Sequence, residues 1–269
     1  MEILVHSDKS GTNQIYILDC LSGEMRQLTD GDADNCFASW ASDRERIAFT
    51  SDRDGNREVY LADQDGEALE RITDNPEPDT FPVWSPDDSF LAFFSQSSGV
   101  DNLELYDLSG GNSRTLTEFS EGSGGAIVFS PDGSKIFFGY DRMGRYKIYQ
   151  LELSGGEPRE LITNAMRNSR MTCLDDPEGL ALLYVSGAAG QDDIWLSFVD
   201  DGRFVNITRD PAPDHSPTLS PAGESVIFSS LRDGDNWQIY LVSRAGRPIE
   251  NRVIRITDDE FNYWYPHVR

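Results

Sequence analysis

The side chains of this sequence that could ligate a metal or carry a proton near neutral pH are three histidines, three cysteines and many aspartates. The cysteines, Cys20, Cys36 and Cys173, lie far apart, and none has a neighbour at metal-ligand spacing. Neither a zinc site nor a disulfide framework is implied, and reduced thiols are expected. Ser51-Asp52-Arg53-Asp54-Gly55-Asn56 alternates carboxylates as a calcium loop does, yet it has no closing glutamate. It returns in weakened form as Ser7-Asp8-Lys9 and as Leu231-Arg232-Asp233-Gly234-Asp235-Asn236. A turn that recurs reads as scaffold, with Asp accepting backbone N–H bonds and Gly taking the positive-φ position. There is no Gly-x-Ser-x-Gly elbow for a serine nucleophile and no Gly-rich phosphate loop ahead of a helix.

Charge narrows the partners. The chain carries 47 acids against 23 bases, a formal net charge of -24, and only Lys9, Lys135 and Lys147 among its bases are lysines. Such a field repels phosphate backbones and anionic lipid, so no nucleic acid and no membrane surface is expected. Cations and basic protein or peptide segments are favoured. The N-terminal residues lack the basic and apolar regions of a signal peptide, and no apolar run approaches a membrane span. A monomer in the cytoplasm is expected, or in the periplasm if a leader has been removed.

The elements that must position these side chains come from a repeat. The aromatics Tyr16, Tyr60, Tyr106, Tyr149, Trp195 and Tyr240 follow one another at intervals of 43 to 46 residues. A second marker keeps step with them: Leu28-Thr29, Ile72-Thr73, Leu116-Thr117, Ile162-Thr163, Ile207-Thr208 and Ile256-Thr257. Within a repeat, short β-rich runs alternate with turn chemistry such as Pro86-Asp87-Asp88 and Pro131-Asp132-Gly133, giving four strands. Runs such as Leu91-Ala92-Phe93-Phe94 do not alternate in polarity, which fits strands buried on both faces. The expected fold is all-β, a single domain over 1–269: a six-bladed β-propeller of four-stranded antiparallel blades. Tyr265-Pro266-His267-Val268 aligns with Phe81-Pro82-Val83-Trp84, so the C-terminal strand should complete the N-terminal blade and close the ring. One repeat is degenerate, with Leu174-Asp175-Asp176-Pro177 where others have an aromatic and Ser-Pro-Asp.

On this scaffold the inter-blade loops rim the central channel, together with the turns between second and third strands. The windows 30–35, 74–79, 118–124, 164–169, 209–214 and 258–263 hold thirteen Asp or Glu and two Arg, Arg167 and Arg209. This rim is the expected binding surface, with Asp34, Asn35, Asp79, Asp214 and Trp264 nearest the mouth and Arg170 and His215 beside them. A hard divalent cation such as Ca²⁺ could gather these oxygens. Alternatively, the aspartates cap turns on a chain that is acidic throughout.

The recurring Trp-Ser-Pro-Asp, Ile-Ala-Phe-x-Ser-Asp-Arg-Asp-Gly-Asn, Tyr-Leu and Leu-Thr-Asp elements resemble the WD-repeat-like propellers of the TolB type, and the resemblance covers essentially the whole chain. It implies a non-catalytic recognition or scaffold module that binds a protein segment, a peptide or a small ligand at the channel mouth, with no cofactor. The same broad family includes prolyl-oligopeptidase-type propellers and oligogalacturonate lyases. The lyases imply the alternative, a metal-assisted lyase or hydrolase of acidic oligosaccharides with a metal held by histidines. Repeat alignment puts His215 at the position of Thr80, His267 at that of Val83 and His6 at that of Thr50. His6 then pairs across from Tyr265, on the same face as His267 and diagonal to it at about 7–8 Å. No further histidine is left to serve as a base.

Overall fold

The computed structural model describes residues 1–163, 170–243 and 253–268. The described chain forms six four-stranded antiparallel sheets and no helix, so none is long and apolar enough to cross a membrane. Blade two runs outward from Asn35–Trp40 through Arg46–Ser51 and Glu58–Asp63 to Glu70–Arg71. Blades three to six repeat this order from inner strands Asp79–Trp84, Ser123–Phe129, Thr172–Asp176 and Asp214–Leu219. Blade one is closed by the C-terminal strand, as the repeat phase predicts. Tyr263–Val268 pairs with Glu2–Ser7, followed outward by Gln14–Asp19 and Met25–Gln27.

The core consists of six layers, one between each pair of neighbouring blades. Second strands therefore bury both faces: Ile47, Ala48 and Phe49 alternate between two layers and are all fully buried. Each large side chain so buried contributes on the order of 1.5–3 kcal/mol, which explains why these runs do not alternate in polarity. The degenerate repeat survives for the same reason, since its Leu183 and Leu182 pack into the layers shared with blades six and four.

Both sequence markers have a structural job. The hydroxyls of Thr29, Thr73, Thr117, Thr208 and Thr257 accept backbone N–H bonds from Ile15, Val59, Leu103, Ile194 and Ile239 at 2.9–3.0 Å. Each bond occupies a third-strand donor that the departing outer strand leaves open. Tyr60 and Tyr240 donate to Asp54 and Asp233 at 2.6 and 2.9 Å, and the guanidinium groups of Arg53 and Arg232 lie over those tyrosine rings. With Asp52 accepting the Asp34 N–H at 2.8 Å, the carboxylates of the calcium-like turn are engaged within the scaffold.

A feature that simple alternation does not foresee sits on the inner strands. The register slips between Cys36 and Ser39, Thr80 and Val83, Gly124 and Ile127, and His215 and Thr218. The closing strand slips likewise, its Trp264 and His267 pairing with His6 and Leu4. At four of these β-bulges a non-glycine residue has positive φ: Phe37 (55°), Phe81 (60°), Ser216 (55°) and Tyr265 (51°). Such backbone costs on the order of 1–3 kcal/mol per residue and persists only where the surroundings enforce it. Here it sends large rings into the channel.

Candidate functional site in the central channel

The bulged aromatics meet at the middle of the ring. Phe37 lies 3.9 Å from Phe81 and 5.1 Å from Tyr265, centroid to centroid, and His6 stacks on Tyr265 at 5.2 Å. Together with Arg170 they leave a waist of only about 20 Å³, room for little more than a water. The channel is thus two vestibules. The upper one, on the side of the inter-blade loops, holds about 400 Å³, and the lower one, on the Ser-Pro-Asp side, holds about 300 Å³.

Three blades build the upper vestibule. Blade one supplies His6, Asn13, Trp264 and Tyr265, blade two Asp34, Cys36, Phe37 and Arg57, and blade six His215, Ser216 and Trp237. Arg57 and Asp34 form an ion pair at 2.9 Å. His215 shares a 3.0 Å contact with Asp192 through Nε2, and its ring lies 4.7 Å from that of Trp237. Flat aromatic surface beside paired charges suits recognition of an extended or ring-bearing ligand by stacking and hydrogen bonding.

The histidines facing the waist are committed to the scaffold. The Ala38 N–H donates to His6 Nε2 and the Trp40 N–H to His267 Nδ1, both at 3.1 Å. Burial, reinforced by the nearby charge of Arg170, lowers the pKa of His6 to about 3 and that of His267 well below its usual value. Both rings are neutral, and each has spent its one acceptor nitrogen on the inner strand of blade two. The two do share a face, as expected, although the bulge makes Trp264, and not Tyr265, the partner of His6. Arg170 spans the channel from blade five, its Nη2 donating to the Ala38 carbonyl at 2.7 Å. Burial brings its pKa down to about 10, so it remains a cation at neutral pH.

Comparison with known proteins agrees with this architecture. The sequence matches the TolB beta propeller domain over residues 1–127 and 80–266. The chain belongs to the TolB beta propeller domain family. An uncharacterized protein of Agrobacterium fabrum is 33% identical over 140 residues, covering 51% of this chain and 45% of that protein. The chain therefore spans less than half the length of that curated relative. The crystal structure of TolB from Acinetobacter baumannii superposes with a TM-score of 0.81 at 21% identity, covering all of this chain and 67% of that one. An oligogalacturonate lyase from Vibrio parahaemolyticus reaches a TM-score of 0.59 at 17% identity over 90% of this chain and 72% of its own. At these identities the two structures speak to the fold alone.

Of the residues singled out from sequence, Asp34, His215 and Trp264 line the upper vestibule of this TolB-type propeller. Arg170 lies deeper, between the vestibules, and Arg167 falls outside the described residues. Asn35, Asp79 and Asp214 do not stand on the open rim. All three are fully buried at the start of inner strands. Asn35 accepts from Arg53 at 2.9 Å and Asp214 from Arg232 at 2.8 Å, so each binds the inner strand to the neighbouring turn of its own blade. Asp79 has no such arginine. It accepts from Asn75 at 2.6 Å, and burial raises its pKa to about 6. Much of the acidic rim is also paired, as in Asp259 with Lys9 at 3.2 Å and Asp74 with Arg71 at 2.7 Å. Arg57, Trp237 and the three bulged aromatics were not foreseen. The Phe-x-x-Trp spacing shared by Phe37-Ala38-Ser39-Trp40 and Phe81-Pro82-Val83-Trp84 was the available signal.

Proposed function

We propose that this chain acts as a non-catalytic recognition module and that its upper vestibule takes a segment of a protein partner. A TolB-type propeller supports a binding or scaffold role in general. The observation that carries the more specific reading is the wall formed by Trp237 and Trp264 with the His215–Asp192 and Arg57–Asp34 pairs, drawn from three blades. Aromatic anchors ringed by polar groups are the usual make-up of binding hot spots. The reading is tested by selecting peptides on the full chain from a displayed library and measuring them against Trp237→Ala with Trp264→Ala. Loss of at least about tenfold in affinity is expected, in line with hot-spot truncations of 2 kcal/mol or more. Peptides that bind the double variant as tightly as the parent would overturn it. The acidic-sugar lyase has less support, because His6 and His267 have no acceptor nitrogen left for a metal.

A further inference from the structure

The lower vestibule is a region without acid on a chain of net charge -24. Its described lining contains no Asp or Glu; it mixes apolar and aromatic surface, among it Trp40, Trp84, Val128 and Met171, with nearly as much polar surface from groups such as Ser39, Thr172, Thr218 and His267. Arg170 stands at its inner end. One guanidinium N–H group serves the Ala38 carbonyl, while Nε is buried and has no partner among the described residues. Among the described residues, no carboxylate lies within ion-pair distance of Arg170. His267 offers a second donor beside it. With Nδ1 accepting from Trp40, the neutral ring carries its proton on Nε2.

A guanidinium withdrawn from bulk water without a counter-charge is costly, and a carboxylate is the group best shaped to offset that cost, through paired N–H···O bonds. The tryptophan and aliphatic part of the wall suits a hydrocarbon body behind the charge. A cavity of about 300 Å³ lies at the small end of the usual range for ligand sites. Pro86, Ser130 and Pro131 line the vestibule's outer end, so such a ligand enters from the Ser-Pro-Asp side. We propose that the lower vestibule is a binding site for a small organic acid, its carboxylate on Arg170 and its apolar body against Trp40 and Trp84. This site is separate from the upper vestibule and does not depend on the role given to it.

The experiment titrates the full chain with phenylacetate, its neutral isostere phenylacetamide and sulfate, followed by calorimetry and tryptophan fluorescence. Phenylacetate should saturate a single site, and the amide should bind at least about tenfold more weakly, the scale of a lost charge-assisted hydrogen bond. Thr218→Phe, which fills the lower cavity, and Arg170→Met should each reduce phenylacetate affinity by a similar factor. Trp237→Ala with Trp264→Ala, at the other end, should leave it unchanged. The proposal is overturned if the acid shows no saturable binding, if acid and amide bind alike, if sulfate binds as well as the acid, or if Thr218→Phe has no effect. Should Arg170→Met fail to fold, the acid-against-amide comparison on the unaltered chain still decides.

Discussion

The lower vestibule draws on the inner strands of all six blades and the upper one on three of them, and their charges are arranged differently. In the upper one, the charged lining residues Arg57 and Asp34 pair with each other, and His215 contacts Asp192. In the lower one the single formal charge among the described lining residues is Arg170, with no acid facing it. The acids of the lower end are turned outward, where they hold turns together. Asp88 accepts the N–H groups of Ser42 and Asp43 from the neighbouring blade at 2.7 and 2.9 Å. Asp132 accepts from Ser130 and Ser134, which lowers its pKa to about 2. A bulk charge of -24 thus says little about the sign of the field in a particular cavity. What decides it is whether the local turns consume their carboxylates or aim them inward.

The closing strand contributes to both vestibules, since Trp264 and Tyr265 face the upper one and His267 the lower. Removing the chain from Phe261 onward should therefore abolish the distinction by opening the ring. Loss of the fully buried Tyr263 and its neighbours is worth on the order of 5 kcal/mol or more, by the cost of truncating buried aromatics. A truncated protein that melts within a degree or two of the parent would show that closure does not hold the channel together.

A smaller effect separates scaffold acids from surface acids. Asp214 is fully buried against Arg232, itself 10% exposed, and Asp214→Ala leaves that cation only the more distant Asp210 at 3.7 Å, so it should destabilise the fold by about 3 kcal/mol. If chemical denaturation shows less than about 1 kcal/mol, the level of an exposed pair, then this residue belongs to the open rim after all.

The smallest expected effect has the opposite sign. Asp79 occupies the place of Asn35 but lacks an arginine, and its folded pKa of about 6 exceeds the ordinary 3.8. For a raised acid the stabilising form is the protonated one. Its contribution is complete below the unfolded pKa and is lost as pH rises through about 6. Asp79→Asn should therefore stabilise the protein at pH 7 by about 2–3 kcal/mol and flatten the decline in stability between about pH 4 and 6. Unfolding curves at pH 4, 6 and 7 on both proteins check this; a variant less stable than the parent at pH 7 would mean that the ionised carboxylate is needed.

The repeat period, the four-strand unit and the closing strand were all legible in the residues, because each depends on short-range pattern: apolar runs, turn chemistry and markers 43 to 46 residues apart. The Thr marker even identifies a hydrogen bond that fastens five of the blades, and the Tyr marker one that fastens two. The candidate site was legible only in part. Asp34, His215 and Trp264 could be placed at the mouth by counting along the repeat, and the same count put Asp79 and Asp214 there too. Their burial depends on contacts with neighbouring turns that no local pattern announces, such as the bond from Arg232 to Asp214 across 18 residues of chain.

The sequence alone determined the ring, because a unit that must bury two faces can do so only between copies of itself. Tertiary structure decided what the ring encloses. A one-residue bulge on each of five inner strands reverses the side-chain alternation that strand patterns rely on, and so turned Phe37, Phe81 and Tyr265 into the waist. The approach of Arg170 from blade five to Ala38 on blade two, 132 residues away, set the charge at that waist, and only closure of the whole ring brings those groups together.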